Sequence, residues 1–413
     1  MNGTQDVVVV GAALAGASAV EALREEGHEG SITLVGSEPH LPYERPPLSK
    51  GYLLGTADRD SVFVHPESWY AEHDVRLRRS TRATVLDRAA HEVLLDDAER
   101  LHYDRLLLTT GALPRPLTVP GAEELRPHYL RTLGDSEALK NAFAAAARVV
   151  VVGAGWIGLE AAAAARAAGA EVVVLESAEL PLLRVLGPET ARVFADLHRE
   201  HGVDLRGGVR ITAAHAGDRP GAGTLVLADG THVTGDVVLV GIGVTPDDSL
   251  ARAAGLEVDD GIAVDSSLQT VDPAVFAAGD VANAFHPLYG RRIRVEHWAN
   301  ALHQPVVAAR AMLGRPARYE RLPYFFTDQY DLGMEYTGYA APGAYDRVVV
   351  RGDLAAREFI AFWLAAGVVL AGMNVNVWDV TGPIGDLVRS GRPVDPARLA
   401  DPDVALTDLL PAS

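Results

Sequence analysis

The chain has no cysteine among its 413 residues. That absence excludes a disulfide framework, an iron–sulfur cluster held on thiolates, and a cysteine pair that relays electrons from a cofactor. Positive charge is scarce: 37 Lys and Arg face 55 Asp and Glu, a formal net charge of −18. So acidic a chain is excluded from general nucleic-acid binding, which needs a basic surface. A long unbroken hydrophobic run is also missing. The longest apolar stretch, Phe359 to Val380, is interrupted by Gly367, Gly372, Asn374 and Asn376. It reads as two strands turning near Ala366-Gly367, not as a membrane span. Met1 to Asp6 are polar and lack the positive run of a secretory signal, so a cytoplasmic protein is expected. No metal site is expected either. His198 and His201, three residues apart, read as a solvated pair near a helix end.

Two glycine-rich loops are present, Gly11-Ala12-Ala13-Leu14-Ala15-Gly16 and Gly153-Ala154-Gly155-Trp156-Ile157-Gly158. Each closes an apolar run, Val7 to Val10 and Val149 to Val152, and opens an alanine-rich helical stretch. Strand, glycine turn and helix together aim free N–H groups and a helix N-terminus at a pyrophosphate. One such loop is weak evidence; two predict two dinucleotides on one chain. The simplest chemistry needing both is hydride transfer between a nicotinamide and a flavin. The expected fold class is α/β, with two Rossmann-like dinucleotide-binding domains and a smaller C-terminal α+β domain. The predicted boundaries are 1–112 with 247–320 for the flavin domain, 113–246 for the nicotinamide domain, and 321–413 for the third. The proline-rich Pro114 to Pro120 crossing serves as the linker.

Glu176 follows the second apolar strand of the nicotinamide unit, 23 residues after Gly153. An acid there bonds ribose hydroxyls and repels a 2′-phosphate, which predicts NADH over NADPH. Arg184 is the nearby basic residue that opposes this preference. In the first unit Ser37 and Glu38 compete for the adenosine ribose, and Glu38 is favoured on chemistry. Ala13 stands where the loop's second glycine belongs, so its methyl is expected to loosen the flavin dinucleotide. Glu160 reads as an acid in the first turn of the second loop's helix, where the dipole alone favours it. Asp280 ends a strand and doubles as a helix N-cap candidate. Between Arg291 and Arg321 lie seven arginines against Glu296 and Glu320, a local +5 (7 − 2) that would steer an acidic partner.

Several strings carry a resemblance. They are Pro42-Tyr43-Glu44-Arg45-Pro46-Pro47-Leu48-Ser49-Lys50, Thr109-Thr110-Gly111, Tyr129-Leu130-Arg131-Thr132-Leu133, Phe276-Ala277-Ala278-Gly279-Asp280, Val295-Glu296-His297-Trp298, Pro323 to Asp331 and Met373 to Trp378. With them the chain resembles the FAD-dependent bacterial ferredoxin reductases. The resemblance implies a glutathione reductase-like fold, bound FAD and NADH, and an acidic iron–sulfur ferredoxin partner serving a cytochrome P450 or a dioxygenase. It places Gly11, Ala13, Leu14, Ala15, Gly16, Ala83, Thr110, Gly111, Arg131, Gly279, Asp280 and His297 on the FAD. Arg45, Lys50 and Trp298 approach the flavin. Gly153, Gly155, Ile157, Gly158 and Gly243 go to the NADH site, with Glu160 beside the nicotinamide and ion-paired to Lys50. A monomer or weak dimer is expected. The resemblance puts a tryptophan where this chain has Phe326. Two alternatives stay open: an NADH-sensing protein similar to apoptosis-inducing factor, and a reductase of quinones or small radicals.

Overall fold

The computed structural model describes residues 5–410 and divides the chain into two compact units. The first comprises the chain up to Arg45, Asp58–Leu113 and Val244–Pro323. Its centre is a five-stranded parallel sheet in the order Val275–Ala277, Arg105–Leu108, Val7–Val10, Ile32–Val35, Val75–Arg78. Val7 to Val10 are buried on both faces, as a central parallel strand requires. The Leu14–Glu25 helix packs back onto this sheet with nine buried residues. A small antiparallel sheet, Ala83–Asp87, Glu92–Leu95 and Arg100–His102, lies beside it in sequence.

The second unit comprises Pro46–Ala57, Pro114–Gly243 and the chain from Tyr324 onward. It holds a four-stranded parallel sheet, ordered Val203–Arg206, Glu171–Leu175, Arg148–Val152, Val237–Val240. It also holds a five-stranded antiparallel sheet built from Tyr324–Gln329, Leu332–Gly338, Val368–Val375, Glu358–Ala365 and Arg347–Asp353. The hairpin expected near Ala366-Gly367 is present, and both residues take positive φ (49° and 83°).

This division differs from the three segments read in the sequence, and packing gives the reason. Val149, Val151 and Leu159 share one hydrophobic cluster with Leu332, Met334, Phe359 and Trp363, so the C-terminal sheet and the second parallel sheet have a common core. The Pro46–Ala57 insert is tied to the same unit. Ser136 Oγ donates to Leu48 O at 2.8 Å, and Tyr52 OH donates to Glu137 at 3.1 Å. No helix among the described residues is long and apolar enough to cross a membrane.

Candidate dinucleotide and redox site

Both loops have the geometry that a pyrophosphate cradle requires. Gly11 and Gly153 take φ of +118° and +96°, in the region L side chains rarely adopt. A Cβ on Gly16 would stand 2.1 Å from Gly11 O, and one on Gly158 would stand 2.1 Å from Gly153 O. In each loop the last glycine therefore allows the helix to lie against the turn. A Cβ on Gly155 meets no atom within 4 Å, which leaves room for a diphosphate over the first-turn N–H groups. The residues present fit two dinucleotides.

In the first unit, Ala13 precedes the helix with an ordinary φ of −108°. Its counterpart in the second loop, Gly155, has open space at Cβ, and Ala13 carries a methyl at the corresponding position. Replacing Ala13 with Gly is expected to tighten FAD retention by about three- to tenfold, and dialysis against chaotropic salt with absorbance readout checks it. Leu14 and Ala15 are buried, and a Cβ on Gly279 would touch Ala15 Cβ at 3.2 Å, so the Gly279 turn meets the first helix. Asp280 is not an N-cap. Ala278 holds that position in front of the short turn Gly279–Val281. Gly279 N–H donates to Gln304 Oε1 at 2.8 Å, which fixes the turn. Thr110 Oγ1 donates to Asp247 O at 2.6 Å, and Gly111 O accepts from Asp247 N–H at 2.9 Å. Ala83 begins the small antiparallel sheet.

Glu38 accepts from Tyr43 OH at 2.5 Å and pairs with Arg45 at 3.3 Å. Arg45 thus sits against Glu38, while Ser37 is exposed. Trp298 Nε1–H donates to Glu44 at 2.9 Å at the start of the Trp298–Met312 helix. His297 stands immediately before that helix; burial depresses its pKa to about 4 against the pull of Asp280.

In the second unit, Glu176 Oε2 accepts from Ala154 N–H at 2.7 Å, and Oε1 accepts from Ala178 N–H at 2.8 Å and Ser177 Oγ at 3.0 Å. A carboxylate offers about four acceptor positions, so capacity remains for a ribose hydroxyl. Arg184 is exposed in the Leu183–Leu186 turn. Gly243 takes φ +102° beside Arg115, and Ile157 and Ile242 are exposed. The ratio of kcat/KM values should favour NADH over NADPH by at least about tenfold; equal values would remove Glu176 from the ribose.

A cluster of polar side chains around Glu160 lies wholly within this unit. Lys50 Nζ stands 2.8 Å from Glu160 Oε1. Ser49 Oγ donates to Glu160 Oε2, and Thr327 Oγ1 donates to Oε1 at 2.5 Å. The Lys50 ammonium also lies 5.3 Å from the Phe326 ring centroid. Glu160 is 4% exposed and is the fifth residue of the Trp156–Ala167 helix, which has no acid in its first turn. The helix-dipole reading of Glu160 therefore does not hold, since that effect fades beyond the first turn. Arg131 belongs to the same unit; its N–H donates to Asp135 at 3.1 Å.

The sequence reading missed Ser49, Thr327 and Gln329 as members of this cluster, and it misread His198. That histidine is fully buried, with Nε2 2.9 Å from Gln329 Oε1, and His201 stacks on Tyr330 at 3.7 Å. They are not a solvated pair, because the helix end they occupy is covered by the C-terminal strand. One compositional signal marks the cluster: the chain has 2 lysines against 35 arginines, and Lys50 is one of the two. Lysine brings a compact point charge on a flexible stem where arginine brings a planar, bidentate fork, so the two are not interchangeable at this pair.

The family comparisons agree with this geometry. Residues 5–304 match the model described as pyridine nucleotide-disulphide oxidoreductase. The chain belongs to that family. Residues 324–410 match a second model, the reductase C-terminal domain. Putidaredoxin reductase of Pseudomonas putida is 39% identical over 100% of this chain and 98% of its own length. The ferredoxin–NAD(+) reductase component of the anthranilate 1,2-dioxygenase system of Burkholderia cepacia is 41% identical over 98% of each. Among solved structures, the reductase in a covalent putidaredoxin reductase–putidaredoxin complex matches with a TM-score of 0.94 and 38% identity, covering 99% of this chain and 98% of that one. The family takes its name from a disulphide, and this member has no cysteine to form one.

Proposed function

We infer that the chain is an FAD-dependent NADH:ferredoxin oxidoreductase of the cytoplasm, supplying single electrons through a small iron–sulfur ferredoxin to a cytochrome P450 or a dioxygenase. The observation that carries this reading is the buried Lys50–Glu160 pair beside the second cradle, in a chain with no thiol to take the electrons onward. Bound FAD supplies acceptance of a hydride and release of single electrons. Glu160, held by Ser49, Lys50 and Thr327, presents a fixed anion to the nicotinamide side. Lys50 presents a fixed cation on the flavin side, where it stabilises negative charge. Glu176 holds the ribose and the glycine loops hold the diphosphates. Cytochrome c reduction by NADH tests the reading: it should depend on an added ferredoxin from a panel of acidic carriers. Equal rates with none added would point to direct reduction of small acceptors instead.

The carrier's approach is narrower than the count of seven arginines implies. Folding brings acids from outside the segment onto it: Glu26 onto Arg310 and Arg315, Glu257 onto Arg292, Asp260 onto Arg294. Glu296 and Glu320 pair with Arg294 and Arg318. Apart from Arg294, whose side chain is 8% exposed between Asp260 and Glu296, these arginines are exposed, so each of their pairs is worth about 0–1 kcal/mol and leaves them able to exchange partners. Carrier reduction should slow as salt shortens the Debye length from about 10 Å at 0.1 M to about 3 Å at 1 M. Arg310→Glu with Arg315→Glu should flatten that dependence. Wild-type rates and salt slope in the double variant would move the docking surface elsewhere.

A further inference from the structure

A buried chain of hydrogen bonds runs from the Lys50–Glu160 pair to the last turn of the Pro188–Glu200 helix. Thr327 Oγ1 lies 2.5 Å from Glu160 Oε1, Gln329 Nε2 lies 3.1 Å from Thr327 Oγ1, and Gln329 Oε1 lies 2.9 Å from His198 Nε2. Thr327 and Gln329 are each 1% exposed and His198 is fully buried. The two strand residues are two apart on Tyr324–Gln329 and so share one face of it.

The donor inventory fixes the direction of every link. The Glu160 carboxylate accepts, so the Thr327 hydroxyl donates to it. The Thr327 oxygen then accepts from the Gln329 amide N–H. That orients the amide so that its carbonyl faces His198, which must carry its hydrogen on Nε2. His198 Nδ1 is buried without a partner. A proton there would be an unpaired buried donor, so the ring stays in one neutral tautomer. Burial lowers its pKa to about 4, with neighbouring His201 acting the same way and Gln329 opposing. All three bonds therefore point toward Glu160, and aligned bonds polarise one another.

We propose that Thr327, Gln329 and His198 are positioning residues for the reductase, a one-way hydrogen-bond chain by which the C-terminal domain's first strand fixes the Glu160 carboxylate toward Lys50 and the nicotinamide side. The inference rests on the role given to Glu160 above. It gives the C-terminal sheet a part in NADH oxidation, beyond covering the core.

Threonine variants separate positioning from packing. Thr327→Val keeps shape and the β-branch and removes the hydroxyl; Thr327→Ser keeps the hydroxyl and removes a methyl. The proposal predicts that Thr327→Val slows flavin reduction by NADH about tenfold with FAD still bound, the share a lost bond to a charged group commands. Thr327→Ser should stay within about twofold of wild type while its thermal midpoint falls further than that of a shape-preserving exchange alone. Gln329→Leu should match Thr327→Val in rate. Glu160→Gln serves as the reference, and adding Thr327→Val to it should slow reduction no further. Slow reduction in Glu160→Gln with wild-type rates in Thr327→Val would overturn the positioning role alone. A wild-type rate in Glu160→Gln would overturn the role of Glu160 and the chain with it. Rates that follow the thermal midpoints, with Ser slower than Val, would make the chain structural.

Discussion

Glu160→Gln should slow the reduction of bound FAD by NADH about a hundredfold while the flavin spectrum shows the cofactor retained. The substitution keeps size and one carbonyl oxygen and deletes only the charge. Three donors converge on Glu160, from Ser49, Lys50 and Thr327. An amide accepts at one end and donates at the other, so at least one of the three loses its acceptor. Lys50, with 16% of its side chain exposed, is left without its counter-ion. Loss of one preorganised electrostatic contact at a reacting centre costs about 10²–10³ in rate, and the partial exposure of Lys50 places the expectation at the lower edge. Some stability is lost as well, because an unpaired charge in a mostly buried site is costly. Anaerobic rapid mixing with absorbance near the flavin band reads the rate. An unchanged rate with a lowered thermal midpoint would make the pair a structural tie.

Two of the three glycines of the second loop, Gly155 and Gly158, should respond differently to alanine. At Gly158 the added methyl would stand 2.1 Å from the backbone oxygen of Gly153 and 3.5 Å from a Val151 methyl. The Gly153 backbone has little room to yield, so the helix must move off the loop. Gly158→Ala is therefore expected to lower the thermal midpoint and to abolish measurable NADH saturation. At Gly155 the same methyl meets no atom within 4 Å and φ is −77°, ordinary for alanine. That variant should melt with the wild type, yet its KM for NADH should rise about tenfold because the methyl stands where the diphosphate approaches. A Gly155→Ala protein with wild-type KM would place the diphosphate elsewhere. The first loop already carries this exchange at Ala13, which makes the pair of loops an internal comparison.

The parts legible in the sequence are those whose physics is local. A buried parallel strand reads as an apolar run, so Val7 to Val10 and Val149 to Val152 announce both sheets. A glycine loop must follow directly, because the turn, the close approach and the helix start are contiguous. The Phe359 to Val380 hairpin is legible for the same reason, with turn residues between two apolar runs. What was not legible depends on distant chain. Glu160 looks like a solvated helix acid until Ser49, from 111 residues earlier, and Thr327, from 167 residues later, are folded onto it. His198 looks solvated until Gln329 covers it. The arginine segment looks strongly positive until Glu26, Glu257 and Asp260 arrive from outside it. The domain division changes because the C-terminal sheet shares its core with the second parallel sheet, a fact of packing that no local pattern encodes.

The most direct test of electron transfer to a ferredoxin is a two-step rapid-mixing measurement on the FAD-loaded protein. NADH is added without oxygen, and oxidised iron–sulfur carrier is mixed in second. The account predicts that flavin absorbance bleaches faster than steady-state turnover and returns as the carrier is reduced, two carriers per NADH. Slow bleaching, followed by a long-lived NAD-bound reduced state that carriers do not discharge, would contradict it and make the protein an NADH sensor.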